Sequence, residues 1–181
     1  MAEGARPVAG WRAGLADALA RRRVPLGYAL ALVAFWLAQP TGKSLAFGAV
    51  LAIAGEALRI WAAGHLEKGR EVTTSGPYAF TRHPLYVGSA VMGAGFAVAA
   101  NSIPVAVLVF AYLAVTIAAA IRAEEAHLTD KFGTRYPAYR EGIATPAVRR
   151  FSLERAMRNR EYRAIWGVAA TLALLSAKLY L

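Results

Sequence analysis

Two short polar segments of the sequence concentrate residues that could do chemistry, and the first reads TSGPYAFTRHPLYVG over residues 74–88. Its Gly-Pro pair predicts a turn, and its second proline predicts a break in the backbone just as an apolar run begins. A solvated loop does not require this density of tyrosine, arginine and histidine. Tyr78, Tyr86 and Arg82 are also explained as an interfacial aromatic belt with a topology anchor, so these three alone leave both interpretations open.

The second segment, RAEEAHLTDKFGTRYPAY, covers residues 122–139 and places two carboxylates directly after an apolar run. Basic residues would be more favourable than Glu124 and Glu125 there, because a helix C-terminus and the cytoplasmic membrane surface both favour cations. The two acids therefore predict a cationic group close by. Arg122 is one candidate, and an ion pair at the helix end is the simplest account.

The composition places both segments in a membrane protein. Of 181 residues, 57% are hydrophobic, yet the formal net charge is +10, and a small soluble domain rarely combines the two. No nucleic-acid partner is expected, because the basic residues alternate with apolar blocks instead of forming one soluble face. The sequence contains no cysteine, so it offers neither disulfides nor thiolate metal ligands.

Five apolar runs predict an all-α, polytopic integral-membrane bundle of about five transmembrane helices. A membrane helix needs about 20 residues, so three of the runs fit directly and the first and third are short. The third and fourth runs are separated by a brief turn and should form an antiparallel hairpin. The runs cover residues 24–38, 44–63, 85–100, 103–121 and 164–181.

The basic residues are distributed asymmetrically about these runs. Five precede the first run, three lie between the second and third, and ten lie between residues 122 and 163, so 18 of the 21 share one side. The positive-inside rule then places the basic N-terminal segment, residues 1–23, and both long loops in the cytoplasm, with the C-terminus outside. No convincing small-residue cleavage site follows the first run, which favours a retained span over a signal peptide.

Charged and small residues inside the runs predict helix contacts. Glu56 and Arg59 lie three residues apart on one helical face, where each can neutralise the other. Structural pairing is the simpler interpretation, and a cofactor role is the alternative. Ser89, Gly93 and Ala97 repeat every four residues, the spacing that lets helix backbones approach closely.

Together the two polar segments resemble the integral-membrane methyltransferase family that contains isoprenylcysteine carboxyl methyltransferase and the phospholipid N-methyltransferases. The matching motifs are Gly76-Pro77-Tyr78, Arg82 to Tyr86, Glu124-Glu125, Leu128 to Gly133, and Tyr136 to Tyr139. The resemblance covers residues 45–142, a methyltransferase-like core within a single membrane-embedded domain, 1–181. The remaining residues, 143–181, are predicted to form a basic cytoplasmic segment and the fifth span, for which the resemblance implies no catalytic role.

The resemblance implies S-adenosylmethionine as the cofactor, bound on the cytoplasmic side without a metal. A sulfonium cation, an amino acid head and an adenosine together require carboxylates, aromatic faces and hydrogen-bonding groups. A hairpin of the third and fourth helices would bring both segments together. The cofactor-binding positions carried over by the resemblance are Tyr78, His83, Pro84, Leu85, Tyr86, Glu124 and Glu125.

The resemblance also implies methyl transfer to a nucleophile of a lipidic or prenylated, membrane-borne substrate. An isoprenylcysteine-like carboxylate is ionised at neutral pH and needs only a cationic holder, for which Arg122 and Arg82 are the catalytic candidates. The family's carboxyl methyltransferases place a substrate-binding arginine four residues before the cofactor-binding glutamate, where this chain has Ala120. An amine acceptor would have to lose a proton, and His83, His127 or water could take it.

Three other interpretations compete with this one. Glu124 and His127 have the spacing of half a di-iron site, but such sites need two of these motifs and further glutamates, and the sequence has three histidines in all. A nicotinamide-dependent membrane reductase has a related architecture, although the sequence lacks a Gly-x-Gly-x-x-Gly turn. A non-catalytic membrane scaffold predicts that Tyr78, His83 and Glu124 can be changed without loss of cofactor affinity.

Overall fold

The computed structural model of the chain describes residues 27–143 and 148–181, so the basic segment 1–23 and the start of the first predicted span lie outside the described residues. The regular secondary structure of the described part is helical, without a β-strand, which confirms the predicted all-α fold. The helices are α1 (Gly27–Leu37), α2 (Gly42–His65), α3 (Pro84–Ala100), α4 (Ile103–Phe132), α5 (Arg135–Arg140), α6 (Leu153–Arg158) and α7 (Tyr162–Ala177), with 3₁₀ turns at Gly76–Ala79 and Lys178–Tyr180.

Each of the five predicted apolar runs coincides with a helix, but the helices differ in length. In the described part of the chain, α2 with 24 residues and α4 with 30 are the two that are long and apolar enough to cross a membrane, whereas α1 and α3 are shorter apolar helices. The count of five spans stays a prediction. Helix α4 continues past the predicted end at Ile121, because good helix formers follow until Gly133, which has a φ of +52°.

Small residues let α2 and α3 pack with their backbones in contact. A Cβ atom added at Gly55 would lie 2.5 Å from the backbone nitrogen of Met92, and one at Gly88 would lie 2.7 Å from the carbonyl oxygen of Gly55. Such an approach requires glycine on the contacting faces. Gly93, from the predicted small-residue repeat, instead faces α4, where the side chain of Leu113 packs on it.

The helices alternate in direction, so that α2 ends, α3 begins and α4 ends at one end of the bundle, called here the polar end. At the opposite end, hydrogen bonds join the segment between α1 and α2 to the last residue of α3 and the residue after it. There Gln39 N donates to the carbonyl oxygen of Ala100 at 2.7 Å, and Asn101 Nδ2 donates to that of Gln39 at 3.1 Å. The ammonium group of Lys178, after α7, donates to the carbonyl oxygen of Phe35 in α1. The loops that carry both polar motifs therefore meet at the polar end.

Arg59 joins α2, α3 and the start of α7. Its Nη2 lies 2.7 Å from Oε1 of Glu161, and its Nη1 donates to Ser89 Oγ at 2.5 Å. The predicted pair with Glu56 is present, with Nε 3.6 Å from Oε2. The shortest contact of the Arg59 guanidinium with a carboxylate, however, is made to an acid that follows 102 residues later.

Candidate functional site

A cavity of about 470 Å³ opens at the polar end. It is lined by the loop after α2, the residues between the first 3₁₀ turn and the start of α3, the last third of α4, and α5. Small-molecule sites commonly have volumes of about 300 to 1,000 Å³. The two polar motifs therefore border a space of the size that a small molecule occupies.

The turn that carries Tyr78 is built on a glycine in the left-handed region. Gly76 has a φ of +58°, and a Cβ atom there would lie 2.6 Å from the His65 ring, so other residues are excluded both sterically and conformationally. The His65 ring is fixed in turn, because its Nδ1 lies 3.1 Å from Ser75 Oγ. Pro77 is the second residue of the 3₁₀ turn, and the following Tyr78 is only 7% exposed.

The start of α3 and the end of α4 meet through a charged cluster. His83 is the N-cap residue of α3, and its Nε2 lies 3.1 Å from Oε1 of Glu125. Arg82 Nη1 lies 3.4 Å from the same oxygen. The His83 ring also lies against Tyr86, with ring centroids 5.7 Å apart. The cation beside the paired glutamates is thus Arg82, which lies with the His83 ring at the start of α3, and not Arg122.

The short helix α5 adds two tyrosines that the sequence motif contained without an assigned role. Tyr136 and Tyr139 are three residues apart on one helical face, with ring centroids 6.3 Å apart. The Tyr139 hydroxyl donates to the carbonyl oxygen of Tyr78 at 2.6 Å, which fixes the 3₁₀ turn against α5. All three tyrosines line the cavity.

Burial favours the neutral form of these tyrosines. It raises the pKa of Tyr78 well above its usual range, and the carboxylate of Glu124 contributes to the increase. Burial and the charge of Glu125 raise the pKa of Tyr136 to about 12. Burial likewise raises the pKa of Tyr139. Uncharged aromatic rings beside a carboxylate form a suitable environment for a cationic ligand.

The structure separates the predicted site residues into three groups. Lining the cavity are Tyr78, Arg82, Leu85, Tyr86 and Glu124. Next to lining residues, but not in the lining, are His83, Pro84 and Glu125: Pro84 is fully buried as the first residue of α3, and the other two belong to the charged cluster. Arg122 is exposed on α4, outside the cavity lining, and makes no ion pair with another residue of the described ranges, so its substrate role stays a prediction.

The sequence motifs did not indicate the wall formed by residues 66–73. Lys68, Glu71 and Thr73 of this loop line the cavity. His127 on α4 also borders it and is exposed, which agrees with its predicted surface position. None of the sequence motifs falls in this loop. Its two acidic residues, Glu67 and Glu71, are the feature of its sequence that could have indicated a role. Both acids pair with arginines that lie far away along the chain.

The carboxylate and the aromatic side chains at this site suit a small organic cation. Within residues 27–143 and 148–181, no group of three or more His, Cys, Asp or Glu side chains is arranged to hold a metal. Glu124 is 41% exposed in a cavity lined by four tyrosines. The Nδ1 atom of His83 is buried without a hydrogen-bond partner among the described residues, since Glu124 Oε2 at 3.8 Å is too distant.

Comparison with known protein families relates this chain to one of them. The model of the phospholipid methyltransferase family matches residues 23–135, which is more than half of the chain. The chain belongs to the phospholipid methyltransferase family. This confirms the resemblance seen in the motifs and indicates a membrane methyltransferase, since the family comprises integral-membrane methyltransferases and includes the isoprenylcysteine carboxyl methyltransferases. Searches of curated proteins and of solved structures found no match to the chain.

Proposed function

We propose that this chain binds S-adenosylmethionine in the cavity and transfers the methyl group to a nucleophile of a lipidic substrate at the membrane surface. The observation that carries the proposal is a single cavity in which a partly exposed carboxylate, Glu124, lies among the aromatic residues Tyr78, Tyr86 and Tyr139. The family normally uses this cofactor. When bound, the cofactor supplies a methyl group activated by a sulfonium cation.

Under this proposal the residues around the cavity have two different roles. Tyr78, Leu85, Tyr86 and Glu124 contact the cofactor, and the carboxylate balances its positive charge. His83, Pro84 and Glu125 hold those residues in place. Methyl transfer is an in-line displacement that needs little proton chemistry, so the main contribution of the protein is to position the two reactants and exclude water.

A carboxylate is the acceptor that we propose, as in an isoprenylcysteine-like O-methyltransferase. Arg82 lines the cavity with a side chain that is 42% exposed, and its guanidinium would hold a carboxylate but repel a protonated amine. Arg122 is the second candidate holder, at the exposed surface of the same end of α4. A lipidic or prenylated tail would place such a carboxylate at the membrane surface.

The proposed topology is a multi-pass bundle of five spans with the cavity in the cytoplasm. Helices α2, α3 and α4 alternate in direction, and the ten basic residues between 122 and 163 begin in the second half of α4, towards the polar end, and continue after it. The positive-inside rule assigns that end to the cytoplasm. Accessibility labelling of single cysteines introduced at residues 68 and 101 should mark opposite sides in intact cells.

Calorimetric titration of the detergent-solubilised protein with S-adenosylhomocysteine tests the cofactor assignment. We expect the wild type to bind and His83→Ala to lose most of its affinity, because the ring fixes Tyr86 and Glu125. Asp130→Ala is the matched control, since Asp130 is exposed on α4 outside the cavity lining. No binding by folded wild-type protein would refute the assignment.

The acceptor class is tested separately with radiolabelled S-adenosylmethionine. The purified protein is incubated with a prenylcysteine or with phosphatidylethanolamine vesicles, and each product is then treated with alkali. A carboxyl methyl ester releases labelled methanol in alkali, whereas an N-methyl group does not. Alkali-stable label in phosphatidylethanolamine, without ester formed on the prenylcysteine, would replace the carboxylate acceptor with an amine.

A further inference from the structure

One wall of the cavity is a loop that makes few hydrogen bonds within itself. Residues 66–73 contain neither helix nor strand. Their internal hydrogen bonds join Arg70 N to the carbonyl oxygen of Glu67 at 3.1 Å, and Glu67 N to Thr73 Oγ1 at 3.3 Å. A segment bonded this sparsely depends on contacts from other parts of the chain for a defined position.

Those contacts come from residues 149–159, called here the C-terminal clamp, which first engages the end of α2. The last carbonyl groups of a helix have no partners within it. Asn159 Nδ2 donates at 2.9 Å to the carbonyl oxygens of both Ala63 and Leu66, and Arg155 Nη1 donates at 2.5 Å to that of Gly64. A cation at this position also interacts favourably with the helix dipole.

The clamp then binds both acids of the loop. Arg155 Nε lies 2.8 Å from Oε1 of Glu67, with both side chains less than one-fifth exposed. Arg149 Nη2 lies 2.7 Å from Oε1 of Glu71, a residue that itself lines the cavity. Partly buried charged hydrogen bonds of this kind fix geometry more firmly than exposed pairs do.

We propose that Arg155, acting through Glu67, is a positioning residue that holds the loop wall of the cofactor cavity, with Arg149 and Glu71 as a second, more exposed pair. The clamp lies outside residues 23–135, the part of the chain matched by the family model, so this chain completes its site with a segment beyond the matched core. The inference rests on the proposed cofactor function of the cavity.

The test is a double-mutant cycle on the affinity for S-adenosylhomocysteine. Arg155→Met and Glu67→Gln should each raise the dissociation constant roughly 5- to 30-fold, the range for loss of one such positioning contact. The double variant should lose less affinity than the product of the two single losses, because both changes break the Arg155–Glu67 link. Arg163→Met, which removes an exposed arginine of α7, should bind as the wild type does.

Two comparisons separate positioning from general loss of stability and from failure of the proposed function. Gly55→Ala should lower the thermal midpoint without changing the affinity, because it disturbs helix packing away from the loop. If Arg155→Met does not purify in a folded state, Arg149→Met gives the same test at the more exposed pair. The clamp proposal would be overturned if variants of both pairs bound S-adenosylhomocysteine as tightly as the wild type does, or if the losses of the two single variants multiplied fully in the double variant. If the folded wild-type protein bound no S-adenosylhomocysteine, the cofactor site itself would be overturned.

Discussion

Glu124 offers a sharp test of how the cavity recognises its ligand. The change Glu124→Gln keeps the size of the side chain and removes one negative charge from the cavity lining. Two cofactor forms can then be compared. S-adenosylmethionine carries a sulfonium and an ammonium, whereas S-adenosylhomocysteine carries the ammonium alone. The difference between their losses shows which positive group the carboxylate faces.

The magnitude follows from the exposure of the carboxylate. Opposite unit charges about 5 Å apart attract by about 3 kcal/mol at an effective dielectric constant of about 20, and by about 0.8 kcal/mol in water. The Glu124 side chain is 41% exposed, so the solvent screens it and an intermediate value of about 1 to 2 kcal/mol applies. This corresponds to a dissociation constant for S-adenosylmethionine about 5- to 30-fold higher.

The assay is a calorimetric titration of wild type, Glu124→Gln and the control Asp130→Asn, which removes the same charge from an exposed position on the same helix. We expect Glu124→Gln to weaken S-adenosylmethionine at least as much as S-adenosylhomocysteine, and the control to change neither. Unchanged affinity for S-adenosylmethionine in folded Glu124→Gln, or an equal loss in the control, would refute the reasoning.

Three further outcomes are expected. Arg122→Ala should impair methyl transfer while cofactor affinity changes less than about twofold; equal losses would move Arg122 to the cofactor site or to the fold. Gly55→Ala should destabilise the protein by about 1 to 3 kcal/mol, since its new methyl group meets the α3 backbone, whereas Gly167→Ala, in open space, should not; matching thermal midpoints would contradict this. Hydrogen bonding to Arg155 holds the pKa of Glu67 below its usual value of 4.5. That stabilisation is present above pH 4.5 and is lost as the pH falls through the lowered pKa. Acid should therefore lower the thermal midpoint of the wild type more than that of Glu67→Gln. Equal decreases in the two proteins would argue against this stabilisation.

The charged cluster shows what a local sequence pattern can predict and what it cannot. Glu124 and Glu125 after an apolar run predicted a neighbouring cation, because the position itself disfavours acids. The identity of that cation was not local: Arg82, like the neighbouring His83 ring, precedes the acids by some forty residues. Only the alternating directions of α3 and α4 bring these two side chains within 3.4 Å and 3.1 Å of Glu125. Arg122, two residues from Glu124 in sequence, extends elsewhere on the helix surface.

The sequence alone determined where the apolar helices α1 to α4 and α7 lie and which two segments carry the motifs, because apolar runs, turn residues and helix breakers act over neighbouring residues. It also identified the family through those motifs. The tertiary structure decided which distant charges meet. Arg59 pairs with Glu161 and Arg155 with Glu67 across 102 and 88 residues, and such pairs depend on which helix faces and loop ends come together, a property that the spacing of residues within one helix does not encode.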